Sequence, residues 1–356
     1  MAHTDRLINA FARLGDSLRQ VATALNTGPE ALAEGGEDLA PWKDLLQKVY
    51  EQNAWYTREQ VLYAMQQWGE LLREDALADW ISAYPRSEPQ PRTIALILAG
   101  NIPLVGFHDF LCVLITGNRA LVKCPSNDRL LLPFLASRLQ QAEPVLAERI
   151  HFTDGKLDGF DAVIATGSNN TSRYFEHYFA SWPHIIRKNR NSVAILTGQE
   201  SEAQLLALAE DVFRYFGMGC RSVSKLFVPA GYNFDGLFGA FFEFRHLTDH
   251  QKYANNYDYN KAVYLMSGAP MLDNGFLLLK EDPGMGSPIG TLFYESYESL
   301  PALRRLLESQ ADALQCVVGP AEINGAIPFG MSQQPGLSDY ADGVDTVDFL
   351  LRTAAN

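Results

Sequence analysis

From Thr93 onward, short runs of aliphatic and β-branched residues alternate with segments of helical length, and this alternation limits the possible folds more than any other feature of the chain. Strands that are apolar on both faces and separated by helices are typical of a parallel sheet covered by helices. The sequence therefore predicts an α/β fold. The first set of predicted strands is 93–99, 120–123, 149–152, 161–165 and 192–197, with helices at 103–116, 128–140 and 171–179.

A helical beginning and a second alternating set complete the predicted organisation. An apolar stripe with helical spacing runs from Leu7 to Leu25, and Thr57 with Gln60 has the spacing of a capping box at a later helix start. The second set comprises helices at 202–216 and 234–244 and strands at 225–229, 262–266 and 275–279. We place the boundary between the two sets near Gly198.

Length and charge exclude several classes of protein. A chain of 356 residues, 47% of them hydrophobic, is too long for one ordinary core, so we expect two domains. A formal charge of -13 argues against nucleic-acid binding, because phosphate contacts require a basic surface. The longest apolar run, 103–116, is too short to span a bilayer, and we predict no signal segment at the N-terminus.

The cysteines and histidines predict no metal site. The four cysteines are scattered and form no C-x-x-C pair, which indicates neither a disulfide framework nor a zinc site. His246 and His250 have the spacing of two ligands on a helix, but the sequence offers no evident third ligand. These features favour a protein of the reducing cytoplasm.

Residues 216–221 join the predicted helix 202–216 to the next predicted strand and contain a cysteine between glycines and an arginine. Gly217 and Gly219 allow the backbone to turn sharply and a substrate to approach it closely. A thiol at such a junction lies at the edge of a domain, where a nucleophile can be reached. At this point Cys220 has two interpretations, a nucleophile or a buried structural cysteine.

The segment after the first predicted strand places the side-chain amide of Asn101 just before Pro103, a residue suited to the first turn of a helix. Such an amide can donate a hydrogen bond to a developing oxyanion, which is worth roughly 3 kcal/mol in well-studied cases. It can equally cap the helix. No G-x-G-x-x-G follows this strand, so any dinucleotide must be held in another way.

Several short motifs occur in an order that resembles the aldehyde dehydrogenase superfamily. They are Asn101-Ile102-Pro103, Thr116-Gly117-Asn118, Val122-Lys123-Cys124-Pro125-Ser126, Thr166-Gly167-Ser168, Gly219-Cys220 and Pro328-Phe329-Gly330. No single motif is specific, but the ordered series is. Within that superfamily, the stretches 249–261 and 339–346 resemble the LuxC-type acyl-CoA reductases. The resemblance implies a cofactor domain with a Rossmann-like parallel sheet and a second α/β catalytic domain, in which the dinucleotide binds without the glycine motif.

The resemblance also implies a domain assignment. Residues 1–198 would comprise a helical N-terminal segment over about 1–90 and the dinucleotide-binding domain. Residues 199–330 would form the catalytic thiol domain, and 331–356 a C-terminal segment. Because the superfamily usually forms dimers or larger assemblies, we expect a homo-oligomer, with a protein that delivers acyl groups as a candidate partner.

Two residues carry the catalytic roles that the resemblance implies. Cys220 would be the nucleophile that takes the acyl group, and Asn101, with the backbone N–H of Cys220, would stabilise the oxyanion. Arg187 occupies the position where hydrolytic aldehyde dehydrogenases carry the Glu that activates water. Without that base, an acyl-enzyme would wait for hydride or a thiol rather than hydrolyse. Alternatively, the alignment is shifted and another carboxylate serves.

The remaining implied roles concern the cofactor. Lys123 would reach the adenosine ribose or its phosphate, although a plain surface lysine is the alternative. Ser126 stands where NAD-preferring members often carry Glu, so a 2′-phosphate is not repelled and NADP(H) is expected, with NAD(H) as the alternative. Gly167 and Ser168 would lie beside the nicotinamide or pyrophosphate. Glu281 weakly resembles the acid that holds the nicotinamide ribose, and an ordinary charge at a strand end is the alternative.

The predicted activity is therefore the NADPH-dependent reduction of acyl-CoA, or another acyl thioester, to an aldehyde through a cysteine acyl-enzyme. The alternatives are an aldehyde dehydrogenase or acyl-phosphate reductase of the same fold, and a non-catalytic partner subunit.

Overall fold

The protein divides into two compact units, each with its own sheet. A computed structural model describes residues 3–28, 36–85, 90–323 and 325–355. The first unit comprises Met1–Lys188 and Gly336–Asn356, and the second comprises Asn189–Pro335. Both sheets consist mainly of parallel strands, which confirms the predicted α/β class.

Among the described residues, four α-helices precede the first strand, and they confirm the predicted helical beginning. They are α1 (His3–Thr27), α2 (Ala40–Gln52), α3 (Arg58–Leu71) and α4 (Glu74–Ser82). The apolar stripe of α1 is buried, with Leu7 and Leu18 fully inaccessible to solvent. Thr57 is the N-cap of α3, because its hydroxyl accepts a hydrogen bond from the backbone N–H of Gln60 at 3.4 Å.

The sheet of the first unit has five parallel strands in the order β3-β2-β1-β4-β5. The strands are β1 (Thr93–Ile97), β2 (Arg119–Lys123), β3 (Ile150–Phe152), β4 (Ala162–Thr166) and β5 (His184–Arg187), and the helices among them are α5 (Phe107–Ile115), α6 (Leu131–Ala142) and α7 (Asn169–Tyr178). The central strand β1 is fully buried at Ile94, Ala95 and Leu96. The strand order reverses between β1 and β4, which creates a crevice at their carboxyl ends where open α/β sheets bind ligands.

The sheet of the second unit has six strands in the order β11-β6-β7-β10-β9-β8, all parallel except β8. Its elements in chain order are β6 (Asn191–Ile195), α8 (Glu202–Phe213), β7 (Val223–Pro229), α9 (Asp235–Phe241), α10 (Gln251–Ser267), β8 (Leu272–Asp273), β9 (Leu278–Glu281), β10 (Thr291–Tyr297), α11 (Leu300–Ser309) and β11 (Leu314–Val318). Val193, Ile195 and Phe227 form part of its core together with leucines of α11.

Three features of the fold differ from the predictions. The predicted strand 262–266 is wrong, because these residues form the last part of α10. The predicted boundary near Gly198 follows β6, whereas the structure assigns β6 to the second unit, where it pairs with β7 and β11. The chain also returns to the first unit at Gly336, and α12 (Thr346–Ala355) packs against α5.

Within the described ranges, no helix has the length and apolar character that crossing a membrane requires.

Candidate active site

The thiol of Cys220 lies in a sharply turned loop between α8 and β7, and its residue is half-buried. Three consecutive residues before it have left-handed backbone angles: φ is 56° at Tyr215, 57° at Phe216 and 74° at Gly217. Residues other than glycine rarely adopt this backbone conformation, and each such residue costs on the order of 1–3 kcal/mol. The turn therefore ends α8 at Phe213, earlier than the predicted helix end at residue 216.

Cys220 occupies a central position of a hydrogen-bonded turn. The backbone N–H of Ser222 donates to the carbonyl of Gly219 at 3.0 Å, and the Gly219 N–H donates to Ser222 Oγ at 3.2 Å. Gln333 Nε2 donates to the same hydroxyl at 3.3 Å. The turn is thus fixed to the buried side chains of Ser222 and Gln333, while Cys220 itself is half-buried.

A buried carboxylate ties this loop to the segment that contains Pro328-Phe329-Gly330. Asp211 of α8 is fully buried and accepts hydrogen bonds from the backbone N–H groups of Gly330 at 2.6 Å and Ser332 at 2.9 Å. Burial raises the pKa of Asp211, and the two N–H donors oppose that rise. Arg221 Nε in turn donates to the Ser332 carbonyl at 2.6 Å. Two motifs that are distant in sequence therefore meet beside the thiol.

Three segments that contain predicted site residues share one edge of the first sheet. Ile97 of β1 is in register with Lys123 of β2 and Ala165 of β4, so the loops after these parallel strands begin at the same edge. Asn127 Nδ2 joins two of these loops by donating to the Gly100 carbonyl at 2.8 Å. The predicted site residues in these loops are Asn101, Ser126, Gly167 and Ser168.

Lys123 is the last residue of β2, and its half-buried side chain donates from Nζ to the carbonyl of Gly155 at 2.9 Å. A carbonyl does not neutralise the ammonium charge, so the group can still attract an anion. Ser126 is exposed at the same edge. The structure therefore places a cation and a hydroxyl at this edge.

Gly167 and Ser168 form the turn into α7. Ser168 is the N-cap of this helix, and its hydroxyl accepts from the backbone N–H of Thr171 at 3.3 Å. A Cβ on Gly167 would lie 3.0 Å from Thr171 Cβ, which is closer than ordinary van der Waals contact, so a side chain here would require Thr171 to shift. The N-terminus of a helix favours bound anions, because its first N–H groups and the helix dipole are both positive.

Asn101 is exposed in the loop after β1, and the predicted helix start near Pro103 is wrong. α5 begins at Phe107 with Gly106 as its N-cap, because Leu104 adopts a left-handed φ of 58°. Asn101 is therefore not the cap of that helix. Asn101 belongs to the first unit and Cys220 to the second.

Glu281 is the exposed last residue of β9, opposite Tyr294 of β10. His246 lies in a 3-10 segment, where its Nδ1 is 3.0 Å from the Glu243 carbonyl, and His250 is the N-cap of α10. Among the residues that the structure describes, no group of three or more His, Cys, Asp and Glu side chains could hold a metal ion.

Arg187 is buried in the first unit and forms a paired ion contact with Asp109 of α5, with Nε–Oδ2 and Nη2–Oδ1 distances of 3.0 and 2.6 Å. It also donates to the Ala341 carbonyl at 2.6 Å and to Thr346 Oγ1 at 2.9 Å. Burial raises the pKa of Asp109, but the guanidinium outweighs that effect and holds it below its ordinary value. Neither Asp109 nor Asp211 was singled out from the sequence.

The stretch 339–346 secures the C-terminal segment to the helices of the first unit. Trp80 Nε1 donates to Tyr340 Oη at 2.8 Å, and Tyr84 Oη donates to Asp345 Oδ2 at 2.7 Å. Burial, with the Asp345 carboxylate, raises the pKa of Tyr84 to about 12. These contacts hold the C-terminal segment in place, and none of their residues is predicted to take part in catalysis.

The stretch 249–261 secures α10 within the second unit. Tyr257 Oη donates to Asp273 Oδ1 at 2.6 Å, and Lys261 Nζ pairs with Asp273 Oδ2 at 2.6 Å. Asn260 Nδ2 donates to the Ile289 carbonyl at 2.9 Å. These contacts hold α10 within the second unit.

The two units, each with a mainly parallel sheet, have the fold of the aldehyde dehydrogenases. The chain matches the family model of the acyl-CoA reductases (LuxC) over residues 38–235, more than half of its length. It therefore belongs to the LuxC acyl-CoA reductase family, as the motif series predicted. No curated protein matches the sequence.

Solved structures of aldehyde dehydrogenases share the fold. A mutant of aldehyde dehydrogenase C from Pseudomonas syringae, crystallised with NAD+ and octanal, is 12% identical with a TM-score of 0.60, covering 90% of this chain and 73% of its own. The NAD+ complex of a Bacillus cereus enzyme is 14% identical with a TM-score of 0.59, covering 91% and 73%. A Brucella melitensis enzyme is 13% identical with a TM-score of 0.56, covering 88% and 73%.

Proposed function

We propose that this chain reduces acyl-CoA, or another acyl thioester, to the aldehyde with NADPH through an acyl-enzyme on Cys220. The observation that supports this most is the thiol turn, in which a half-buried cysteine lies in a loop fixed to the buried side chains of Ser222 and Gln333. Such preorganisation is useful for a nucleophile, because small displacements of a reacting atom slow reactions strongly. A purely structural cysteine would not require it.

The proposed reaction has two stages. The Cys220 thiolate attacks the thioester carbonyl, the new S–C bond forms, and the bond to CoA breaks to release CoA thiolate. The nicotinamide supplies a hydride to the acyl carbon when it is bound. The resulting thiohemiacetal oxyanion then collapses, which releases the aldehyde and regenerates the Cys220 thiolate.

The edge of the first sheet fits a dinucleotide. The crevice between β1 and β4 is the position where open α/β sheets bind ligands. The N-terminus of α7 would hold the pyrophosphate, with Gly167 and Ser168 beside it. Lys123 and Ser126 would contact the adenosine ribose, and the absence of a carboxylate at Ser126 favours a 2′-phosphate. Glu281 as a contact of the nicotinamide ribose stays a prediction.

The environment of Arg187 supports reduction rather than hydrolysis. Its guanidinium is buried against Asp109, so this position cannot supply a base for water. An acyl-enzyme would then persist until hydride arrives. The role of Asn101 as an oxyanion donor is a further part of the proposal, and Asn101→Ala should lower kcat by about a hundredfold with little change in KM.

Three assays in parallel test this function: NADPH oxidation with acyl-CoA, NADPH oxidation with acyl phosphate, and NADP+ reduction with free aldehyde. We expect turnover with acyl-CoA, and NADPH preferred to NADH. Acid formation from aldehyde in the absence of CoA would contradict the argument from Arg187. Failure to bind either nucleotide in calorimetry would indicate a non-catalytic subunit. A cytoplasmic location, a homo-oligomeric state and a partner that delivers acyl groups stay predictions.

A further inference from the structure

Ser192 lies where both neighbouring strands of the second sheet contain an extra residue. On the β11 side, Leu314 is opposite Asn191 and Cys316 is opposite Ser192, so Gln315 is the additional residue. On the β7 side, Val223 is opposite Ser192 and Lys225 is opposite Val193, so Ser224 is additional. Bulges change the direction of side chains and occur often next to active sites. Two bulges at one residue therefore indicate that the direction of the side chains around Ser192 matters for the site.

The first bulge brings the Cys316 side chain to Ser192. Without the extra residue, Gln315 would be the partner of Ser192, and Cys316 would lie one position further along the strand. Instead, Cys316 Sγ is 3.0 Å from Ser192 Oγ. Ser192 is fully buried, so its hydroxyl must find partners within the protein.

The directions of these hydrogen bonds follow from the number of hydrogens. Ser192 Oγ is 2.9 Å from the backbone carbonyl of Cys220, which can only accept. The single hydroxyl hydrogen of Ser192 is therefore used in that bond. The contact with Cys316 must then be donated by the Cys316 S–H. The result is a directed chain from the Cys316 thiol to the Ser192 hydroxyl to the Cys220 carbonyl.

We propose that Ser192 is a positioning residue for the Cys220 nucleophile and that Cys316 orients its hydroxyl. The hydrogen bond from Ser192 holds the peptide plane that follows Cys220, which limits rotation about the Cα–C bond of the nucleophile. The Gly219–Ser222 hydrogen bonds hold the other side of the turn. The backbone of Cys220 is thereby restrained on both sides. This inference rests on the proposed function, in which Cys220 carries the acyl group.

The second bulge adds separate hydrogen-bond contacts that do not involve the hydroxyl of Ser192. Ser224 Oγ is 2.7 Å from the carbonyl of Met285 and 3.3 Å from the carbonyl of Ser192. The Ser224 hydroxyl is thus used mainly on the Met285 carbonyl, while the Ser192 side chain is directed to Cys220. Ser224 therefore does not compete for the Ser192 hydroxyl, which is hydrogen-bonded to the thiol loop.

The test compares Ser192→Ala with Ser287→Ala in the full-length protein. Ser287 is a matched control, because its hydroxyl also donates to a backbone carbonyl, that of Thr291 at 2.7 Å, in the same unit. The first readout is the rate of Cys220 alkylation by iodoacetamide from pH 6 to 10, followed on the Cys220 peptide by mass spectrometry. The second is kcat and KM for acyl-CoA reduction.

We expect Ser192→Ala to lower kcat about tenfold with little change in KM, and to change the Cys220 alkylation rate or its pH midpoint. Ser287→Ala should alter neither. Cys316→Ser, which keeps a donor, should retain kcat, whereas Cys316→Ala should lower it about two- to threefold. These Cys316 variants leave Ser192 in place and so remain informative if Ser192→Ala does not fold.

Wild-type kcat and an unchanged alkylation profile in Ser192→Ala, with only a lower Tm, would overturn the proposal. Equal kcat values for Cys316→Ala and Cys316→Ser would do the same for the role of Cys316. The alkylation readout requires neither acyl-CoA nor nucleotide. It therefore separates failure of this inference from failure of the proposed function, which would appear as acylation at a residue other than Cys220.

Discussion

In each unit of this protein, a buried aspartate on a helix helps to hold a segment from later in the chain. The two carboxylates differ in their hydrogen-bond partners. In the first unit, Asp109 pairs with Arg187, which in turn holds the Ala341 carbonyl and Thr346. In the second, Asp211 accepts directly from backbone N–H groups of the segment that it holds. One anchor depends on a full opposite charge, and the other on peptide dipoles.

The difference has a physical consequence for the two sites. An ion pair in a buried position is strongly coupled, because losing one partner leaves the other charge without compensation. A carboxylate held by N–H groups keeps its partners even when its own charge changes. The first arrangement suits a scaffold that carries the proposed cofactor edge. The second lies next to the thiol loop, where Arg221 shares the same segment through Ser332.

The largest effect is expected for Asp109→Ala. This variant leaves the Arg187 guanidinium buried and unpaired, which should lower the free energy of unfolding by about 3–5 kcal/mol. Urea denaturation of the wild-type protein and the variant measures the change. The double variant Asp109→Leu with Arg187→Met removes both charges and should lose less stability than the single one. A larger loss in the double variant would contradict the account of a coupled pair.

Asp211→Ala should cost less, about 1–3 kcal/mol, because it leaves two neutral backbone N–H groups without their acceptor rather than a full charge. It should nevertheless reduce acyl-CoA turnover more than Asp109→Ala does at a temperature where both variants are folded, because it loosens Ser332 and with it Arg221. Unfolding by urea and kcat measured on the same samples provide the comparison. If Asp211→Ala were folded and fully active, the proposed link to the thiol loop would be wrong.

The two arginines give a finer comparison. Arg187→Lys should lower the free energy of unfolding by about 2 kcal/mol, because an ammonium cannot reproduce the forked contact with Asp109. Arg221→Lys replaces one hydrogen bond to the Ser332 carbonyl and should cost about 0.5–1 kcal/mol. Thermal unfolding of both variants at pH 7 tests the order. Equal costs would mean that the forked geometry contributes nothing.

The smallest effect is the dependence of stability on pH, and the two aspartates should show opposite signs. The pKa of Asp109 is below its ordinary value, so its contribution is present above that value and is lost as the pH falls through the lowered pKa. The pKa of Asp211 is raised by burial, so its contribution is complete below the ordinary value and is lost as the pH rises through the raised pKa.

Asn variants isolate these two contributions. Between pH 3 and 7, the stability difference between wild type and Asp109→Asn should grow with pH. The difference between wild type and Asp211→Asn should shrink over the same range. Urea unfolding at several pH values provides both curves, and parallel curves would refute the distinction between the two anchors.

The sequence predicted the parts of the fold that are encoded locally. Buried parallel strands such as β1 and β4 are nearly continuous apolar runs. They can therefore be recognised from the sequence without knowing which strands they pair with. Residues 262–266 have a similar composition but belong to α10, whose packing through Tyr253 and Tyr257 decides the conformation. Local composition cannot distinguish the two cases, since the deciding contacts come from elsewhere in the chain.

The candidate site was predictable to the extent that it depends on motifs. The glycines around Cys220 and the turn at Ser168 are short patterns, and the structure places both at element ends. Asp109 and Asp211 were missed, because an aspartate within a helix gives no sign of being buried. Their partners lie 78 and 119 residues away, so only the folded chain reveals them. The same holds for the contact between Ser192 and Cys316.

Covalent capture of the substrate tests the central claim most directly. The protein is mixed with acyl-CoA in the absence of reductant, and its intact mass is measured before and after addition of NADPH. We predict a mass increase equal to one acyl group, located on the Cys220 peptide, lost on addition of NADPH and absent from Cys220→Ala. An adduct that persists in Cys220→Ala, or normal turnover by that variant, would contradict the account.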